Sequence, residues 1–351
     1  METFQLLTPQ GELRDDHPAS AGVDADPCRG LYRDMVLARR LDSEAYSLQR
    51  QGELGLWLQC LGQEAAQVGS MRAIRDTDWV FPSYRDHAAA MCRGIGPEEL
   101  LAQWRGIRQS GWDPQRYRFH IYTLVLAAQL PHAVGFALGA RRDGVDEVVL
   151  TYFGDGASSE GDANEAFNWA ATTSAPVLFF CQNNQWAIST PTSAQFGAPL
   201  HQRAAGFGLT TQLVDGNDVL AVQAATARAA DGIRSGGGPA LIEAVTYRMA
   251  GHSTSDDPTR YRSDAELDHW RTLDPLDRLR RLLENRGWAD REFRTELDRE
   301  ADDLAADVRR ACRAMSDPEP STLFAHVLAA ETPSLAAERG QHAAYLASFV
   351  D

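Results

Sequence analysis

The chain has 351 residues, and its 49 acidic against 34 basic residues give a formal net charge of −15. This acidic balance argues against a nucleic-acid-binding surface. The richest apolar tract, 124–140, is cut by Gln129, Pro131 and His132 and is too short to cross a membrane. The length allows one large α/β domain with a helical extension or two domains, and either can bury a sizeable core.

The cysteines and the N-terminal residues indicate the cellular compartment of the protein. The five cysteines are scattered, without a CxxC pair or a histidine spacing typical of zinc. Residues 1–20 are polar and acidic, with neither an apolar core segment nor an arginine-rich amphipathic pattern, so we predict no signal or transit peptide. A reducing, cytoplasmic compartment fits both observations.

The first third of the chain predicts an arm followed by helices. Residues 1–27 contain Pro, Gly and Asp with little periodicity, which predicts a flexible arm. Apolar residues at helical spacing predict helices over 31–51 and 63–74 that would cover a sheet, and a further helix over 97–108. Between them a short apolar run precedes Tyr84 and Arg85, whose guanidinium fork suits a phosphate. Such a pair alone is more often an ordinary surface feature.

The middle of the chain predicts a β-α-β unit. Residues 148–153 have the composition of a buried strand that stops at Gly154-Asp155-Gly156. Helical spacing begins at Asp162, a Pro breaks it, and residues 177–181 form a second apolar strand. Strands that are apolar throughout are typical of a parallel sheet covered on both faces. We therefore expect Asp155 and the Asn183-Asn184 pair to end neighbouring strands on their carboxyl side.

This arrangement predicts a metal site. Ligands of open α/β sheets bind outside the carboxyl ends of the strands. Asp155 and Asn184 offer hard oxygen donors, which suggests Mg²⁺ on a phosphorylated ligand, and the glycines let main-chain N–H groups approach phosphate oxygens. A lone Gly-Asp-Gly more often belongs to an ordinary strand-turn-helix, but the Asn pair ending the next strand favours the site.

The rest of the chain predicts more strands and then helices. A strand and tight turn over 212–218, a helix over 219–235 and a strand over 240–245 lead to His252 in a Gly/Ser/Asp loop. Catalytic residues often lie in such loops, although composition alone favours a structural role. Charged amphipathic helices follow over 264–317, and we expect the tail at 324–351 to pack on a partner.

Several segments together resemble one family. Gly154-Asp155-Gly156, then 26 residues, then Asn183-Asn184 resembles the thiamin-diphosphate fingerprint. The surrounding GDGASSEGDANEAFN and QNNQWAISTP, with GQEAA, FPSYR and YRMAGHSTSDD elsewhere, are similar to the alpha chain of the first component of 2-oxo acid dehydrogenase complexes. The resemblance implies an α/β fold with a doubly wound, mostly parallel sheet. It divides the chain into an arm (1–27) that clasps a partner, a cofactor-binding domain (28–262) and a C-terminal helical extension (263–351).

The resemblance also implies roles for single residues. Asp155, the Asn184 side-chain oxygen and the Trp186 carbonyl would coordinate Mg²⁺. His252 would be catalytic, with Arg248 ordering its loop, and Leu126 would hold the cofactor in a bent shape unless it is a plain core leucine. Ser253 and Ser263 match phosphorylated positions of some relatives, but the unmodified state is favoured. The implied contacts of thiamin diphosphate are Tyr84, Arg85, Leu124, Leu126, Gly154, Asp155, Gly156, Ala157, Gln182, Asn184 and His252.

The implied activity is oxidative decarboxylation of 2-oxo acids with acyl transfer to lipoyl groups. The HSTSDD and AISTP segments favour branched-chain 2-oxo acids, with pyruvate or acetoin dehydrogenase alpha chains as alternatives. Implied partners are a beta chain that supplies a glutamate in an α₂β₂ assembly, a lipoyl acyltransferase core and a flavoprotein dihydrolipoyl dehydrogenase. A nucleotide-binding enzyme would need GxGxxG after its first strand or GxxxxGK[ST], and neither occurs. A non-catalytic scaffold would be expected to have lost Asp155, Asn184 or His252.

Overall fold

The computed structural model describes residues 2–14 and 16–349. Within them a parallel five-stranded sheet forms the centre of the molecule, and a small antiparallel hairpin follows its third strand. The strands are β1 (Trp79–Phe81), β2 (Val149–Gly154), β3 (Val177–Asn183), β4 (Trp186–Ala187), β5 (Thr190–Pro191), β6 (Thr210–Asp215) and β7 (Ala240–Val245). The order in the sheet is β1-β2-β3-β7-β6, and the hairpin is β4-β5.

Helices cover both faces of this sheet, as in a doubly wound fold. They are α1 (Ala25–Arg50), α2 (Glu64–Met71), α3 (His87–Cys92), α4 (Pro97–Trp104), α5 (Pro114–Tyr117), α6 (Gln129–Arg142), α7 (Gly161–Thr173), α8 (Thr192–Gln195), α9 (Leu200–Gly206), α10 (Val219–Arg234), α11 (Asp264–Arg271), α12 (Pro275–Asn285), α13 (Arg291–Ala314) and α14 (Pro333–Ala347). The predicted α/β class with a C-terminal helical extension is confirmed.

The predicted β2-α7-β3 unit is confirmed, and its strands bury both faces. Leu150 and Leu178 belong to the core beneath α1, α2 and α10, whereas Val149 and Val177 belong to the core beneath α6, α7 and α9. Successive side chains of a strand point to opposite faces, so an uninterrupted apolar strand supplies both cores. The two strands pair in parallel from Val149 opposite Val177 to Gly154 opposite Gln182. Asp155 and Asn184 therefore leave the same edge of the sheet.

The first residues differ from the predicted flexible arm. Phe4 exchanges main-chain hydrogen bonds with both sides of Val214 in β6, and Leu6 and Leu7 are buried. The buried Asp218 carboxylate accepts the amides of Leu6 and Leu7 at 2.7 and 2.6 Å. Flexibility is thus wrong for residues 2–14, because the partners of this segment lie some two hundred residues away and no local periodicity reveals them. That the arm clasps a partner chain stays a prediction.

Among the described residues, the C-terminal extension packs on the rest of the chain through α11, α12 and α13. Leu279, Leu282 and Leu283 of α12 are buried, and α13 packs along α1. Beyond Ala314 the chain is mostly exposed, and the predicted tail ends outside the described residues at Val350 and Asp351. Its packing on a partner stays a prediction. No helix in 2–14 or 16–349 combines the length and apolar character needed to traverse a bilayer.

Candidate functional site

A cavity of about 310 Å³ lies at the carboxyl ends of β2 and β3. A larger cavity of about 680 Å³ lies beside residues 2–5, Arg14, His17 and the starts of β6 and β7, and no predicted site residue lines it. The smaller cavity is therefore the candidate site. The predicted residues that line it are Tyr84, Arg85, Leu126, Gly154, Asp155, Gly156, Ala157, Gln182, Asn184, Trp186 and His252.

Asp155 is a buried carboxylate that carries no salt bridge within the part of the chain that the structure describes. Asp155 is 1% exposed, and burial raises the pKa of its carboxyl group. The Oδ2 atom accepts hydrogen bonds from Gln195 Nε2 at 3.0 Å and Thr192 Oγ1 at 3.3 Å, and Asp155 makes no ion pair with any residue in the described part of the chain. Because burying an unpaired charge is costly, a cation at this carboxylate would stabilise it.

The amide of Asn184 is oriented by a neighbour in the cavity. Asn184 Nδ2 donates to Gln63 Oε1 at 2.8 Å, and the Trp186 amide donates to Asn184 Oδ1 at 3.2 Å. One lone pair of Oδ1 is left for a ligand. Gln63 Nε2 is buried and finds no acceptor among the residues that the structure describes, which leaves a polar donor at the cavity wall. This wall therefore offers both an acceptor and a donor to a bound group.

The hairpin that carries Trp186 has a strained main chain held by Arg248. Gln185 and Ile188 have φ angles of 73° and 55°, which are costly for a β-branched residue such as Ile188. Arg248 is buried beneath the hairpin and donates to the carbonyl oxygens of Ile188 at 2.7 Å and Trp186 at 3.4 Å. It does not line the cavity. The structure thus gives Arg248, predicted among the catalytic residues, a positioning contact with the hairpin.

Gly156 lies directly against the same hairpin. A Cβ atom at this position would be 2.7 Å from the Cβ of Ala187, so the close approach requires glycine. Gly156–Ser159 forms a short 3-10 helix, and amides in the first turn of a helix lack an intrahelical acceptor. The N–H groups of Gly156 and Ala157 are therefore available to an anion beside Asp155.

Arg85 joins the opposite wall to the His252 loop. Its guanidinium donates to the carbonyl oxygens of Gln59 and His252, each at 2.7 Å, and the ring of Tyr84 meets the His252 ring edge-on at 6.2 Å. Burial, followed by the charges of Arg85 and Arg248, lowers the pKa of His252 to about 4. The imidazole is therefore uncharged at neutral pH, and an anion bound beside it would favour protonation.

The two leucines predicted near the cofactor occupy different places. Leu126 lines the cavity and is 41% exposed, so the alternative of a plain core leucine is wrong. Leu124 is 51% exposed and does not line the cavity. With Val125, which is 73% exposed, they form an uncovered apolar edge beside the cavity.

Sequence reasoning missed several residues of the cavity wall. Asp86, Ile188 and Gln195 line it, and so does Gln63 of the GQEAA segment, for which the sequence predicts no specific contact. Gln63, Asp86 and Gln195 each hydrogen-bond a predicted site residue. None stands in a spacing that predicts a metal or phosphate site. Gln195 reaches Asp155 only because the β4-β5 hairpin folds α8 back over the strand end, and no sequence signal indicates that fold.

The donor set fits Mg²⁺ bound to a diphosphate. No group of three or more His, Cys, Asp or Glu residues suited to a metal occurs within the described ranges. Mg²⁺ does not need such a cage, because it is commonly held by one or two carboxylates together with water and substrate phosphates. Asp155, the Asn184 amide oxygen and the Trp186 carbonyl could supply hard oxygen ligands of that kind, and Gly156 and Ala157 line the same cavity.

Comparison with known proteins gives consistent matches. A family model described as "Dehydrogenase E1 component" matches residues 32–321. The chain is 43% identical over 348 residues to the 3-methyl-2-oxobutanoate dehydrogenase subunit alpha of Mycobacterium tuberculosis, which covers 99% of this chain and 95% of that protein. It is 40% identical over 308 residues to the mitochondrial 2-oxoisovalerate dehydrogenase subunit alpha of Bos taurus, covering 85% and 68%. An Arabidopsis thaliana protein, 2-oxoisovalerate dehydrogenase subunit alpha 2, is 37% identical over 310 residues, covering 85% and 65%.

Proposed function

The chain belongs to the dehydrogenase E1 component family, and on that premise we propose that it is the alpha subunit of a branched-chain 2-oxo acid dehydrogenase. It uses thiamin diphosphate and Mg²⁺. The observation that carries the proposal is the meeting of three side chains around one cavity at the ends of adjacent strands. They are Asn184, Arg85 and the buried Asp155, which has no ion-pair partner among the described residues. The names of the relatives support the substrate class.

The residues divide the work of holding the cofactor. Asp155, Asn184 and the Trp186 carbonyl hold Mg²⁺. The amides of Gly156 and Ala157 and the side chains of Tyr84, Arg85 and Gln182 would hold the diphosphate. The apolar Leu126 would pack against the rest of the cofactor. Gly154 leaves the strand end open, while Leu124 contributes at most main-chain contact. Thiamin diphosphate supplies the electron sink that makes decarboxylation of a 2-oxo acid possible.

His252 and Arg248 serve the chemistry in different ways. The uncharged His252 can donate or accept a hydrogen bond at the reacting groups, and Arg85 fixes its loop through the His252 carbonyl. Arg248 keeps the Trp186 carbonyl in place from behind the cavity. The acid that acts on the aminopyrimidine comes from a glutamate of the beta chain, so the working unit is an α₂β₂ assembly. Its acyl product passes to a lipoyl acyltransferase core served by a flavoprotein dihydrolipoyl dehydrogenase.

Substrate choice is tested with the assembled enzyme. The chain is co-expressed with its beta chain, and turnover of 3-methyl-2-oxobutanoate, its branched homologues and pyruvate is measured with an artificial electron acceptor. Because each extra methylene in an apolar pocket contributes about 10-fold or more to discrimination, kcat/KM for 3-methyl-2-oxobutanoate should exceed that for pyruvate at least about 10-fold. A higher kcat/KM for pyruvate would contradict the substrate assignment and favour the pyruvate dehydrogenase alternative.

A further inference from the structure

Gln67, in the middle of α2, uses its whole amide group. The residue is fully buried. Its Oε1 accepts the amides of Ala88 and Ala89 at 3.0 and 3.3 Å, and its Nε2 donates to the Arg85 carbonyl at 3.1 Å and to Gln182 Oε1 at 3.0 Å. A glutamine side chain has two donors and two acceptor sites, and all four are used here. If the amide were reversed, its NH₂ group would face the N–H groups of Ala88 and Ala89, and its oxygen would face two other oxygens. The orientation of the Gln67 amide is therefore fixed.

The hydrogen bonds of Gln67 close a circuit between two walls of the cavity. Gln182 Nε2 donates to Asp86 Oδ1 at 2.5 Å, and Asp86 Oδ2 accepts the Ser83 amide at 2.7 Å. The loop between β1 and α3, which carries Arg85, is thereby tied to the end of β3. Gln182 pairs with Gly154 in the sheet, directly beside Asp155. Within this hydrogen-bond network, Gln67 contacts both the Arg85 loop and the end of β3, from behind the cavity.

We propose that Gln67 is a positioning residue that holds Arg85 and Gln182 in register with the Asp155 and Asn184 pair. Gln67 does not line the cavity. It acts on the cofactor through residues that do, by fixing where the diphosphate contacts stand relative to the metal ligands. The inference rests on the proposed function, because it assumes that a magnesium diphosphate group occupies this cavity.

The test is a nearly isosteric change that introduces a negative charge, Gln67→Glu. An ionised glutamate cannot donate to the Arg85 carbonyl or Gln182 Oε1 and sets negative charge against both oxygens. A buried carboxyl group is readily protonated, and its protonated form regains one donor. Binding of magnesium thiamin diphosphate to the chain assembled with its beta chain is measured by calorimetry. At about pH 8 the Kd of the variant should be at least about tenfold higher than that of the wild type. This difference in Kd should become smaller as the pH is lowered to about 6.

Two further variants make the result specific. Gln103→Glu is the matched control. Gln103 lies on α4, does not line the cavity, and accepts a hydrogen bond of 3.2 Å from the Ser110 amide. It should leave the Kd unchanged at both pH values. Gln67→Met removes the amide without adding charge, so it should weaken binding without the recovery at low pH, and it remains informative if the glutamate variant does not fold.

The outcomes separate this inference from the proposed function. If the wild-type assembly did not bind magnesium thiamin diphosphate, the proposed function itself would be contradicted. Wild-type binding together with unchanged Kd values for both Gln67 variants would overturn the positioning role. Variants that lower Tm but bind the cofactor as wild type does would overturn it as well, since Gln67 would then only stabilise the fold.

Discussion

Replacing Asp155 with alanine is expected to weaken magnesium-dependent binding of thiamin diphosphate by more than about 100-fold, since even loss of an outer-shell partner of a metal ligand costs about 10- to 100-fold. Asp155 is the one carboxylate in the proposed ligand set, and burial raises its pKa, so it gains most from a bound cation. Calorimetric titration of the assembled variant with the cofactor, with and without Mg²⁺, measures the loss.

The same variant should not be less stable when no cofactor is present. Because the carboxylate is buried and makes no ion pair in the described part of the chain, and burial raises its pKa, removing it also removes an unfavourable buried charge. Thermal unfolding of the cofactor-free protein should therefore show an unchanged or higher Tm. Asp143→Ala, at the exposed end of α6, is the control and should bind the cofactor normally. Wild-type affinity in Asp155→Ala would remove Asp155 from the metal site.

The chain purified alone should decarboxylate 2-oxo acids at least about 100-fold more slowly than the assembly with its beta chain, because a positioned general acid contributes about 10²- to 10⁴-fold. The cavity's buried carboxyl groups are already engaged, Asp155 as the proposed metal ligand and Asp86 with Gln182 and Ser83. The exposed apolar edge of Leu124, Val125 and Leu126 beside the cavity favours a covering partner.

Mixing the two purified chains gives the comparison. Decarboxylation is followed with an artificial electron acceptor for each chain alone and for the mixture, at saturating cofactor and Mg²⁺. Activity of the mixture should exceed that of either chain alone at least about 100-fold and should rise with the amount of beta chain until the two chains are equimolar. If the lone chain turned over substrate at the rate of the mixture, a separate polypeptide would not be completing the site.

The sequence predicts the centre of the fold because its signals are local. The apolar runs of β2 and β3, the helix between them and the polar residues after each strand are enough to bring Asp155 and Asn184 to one edge. Because the two strands pair in parallel, both residues lie at this edge regardless of how distant parts of the chain fold. Of the residues predicted to bind the cofactor or metal or to act in catalysis, all but Leu124 and Arg248 line the cavity.

What the sequence does not predict depends on contacts far apart in the chain. The segment 2–14 pairs with β6 through Phe4, and the Asp218 carboxylate at the start of α10 accepts two of its amides. Its composition shows neither contact and suggests a flexible segment. Gln67 reads as an ordinary helix residue until the fold sets Arg85 and Gln182 against it. The strained turn at Ile188 shows no local signal either, since β-branched residues rarely adopt a positive φ.

In the proposed site, Asp155, Asn184 and the Trp186 carbonyl bind one divalent ion that holds the diphosphate. The direct measurement is a crystal structure of the assembled protein with thiamin diphosphate and Mn²⁺ in place of Mg²⁺, recorded so that the manganese is located by its anomalous scattering. A single manganese peak at coordination distance from all three oxygens and from the diphosphate is expected. A peak that contacts neither Asp155 nor Asn184 would contradict the account.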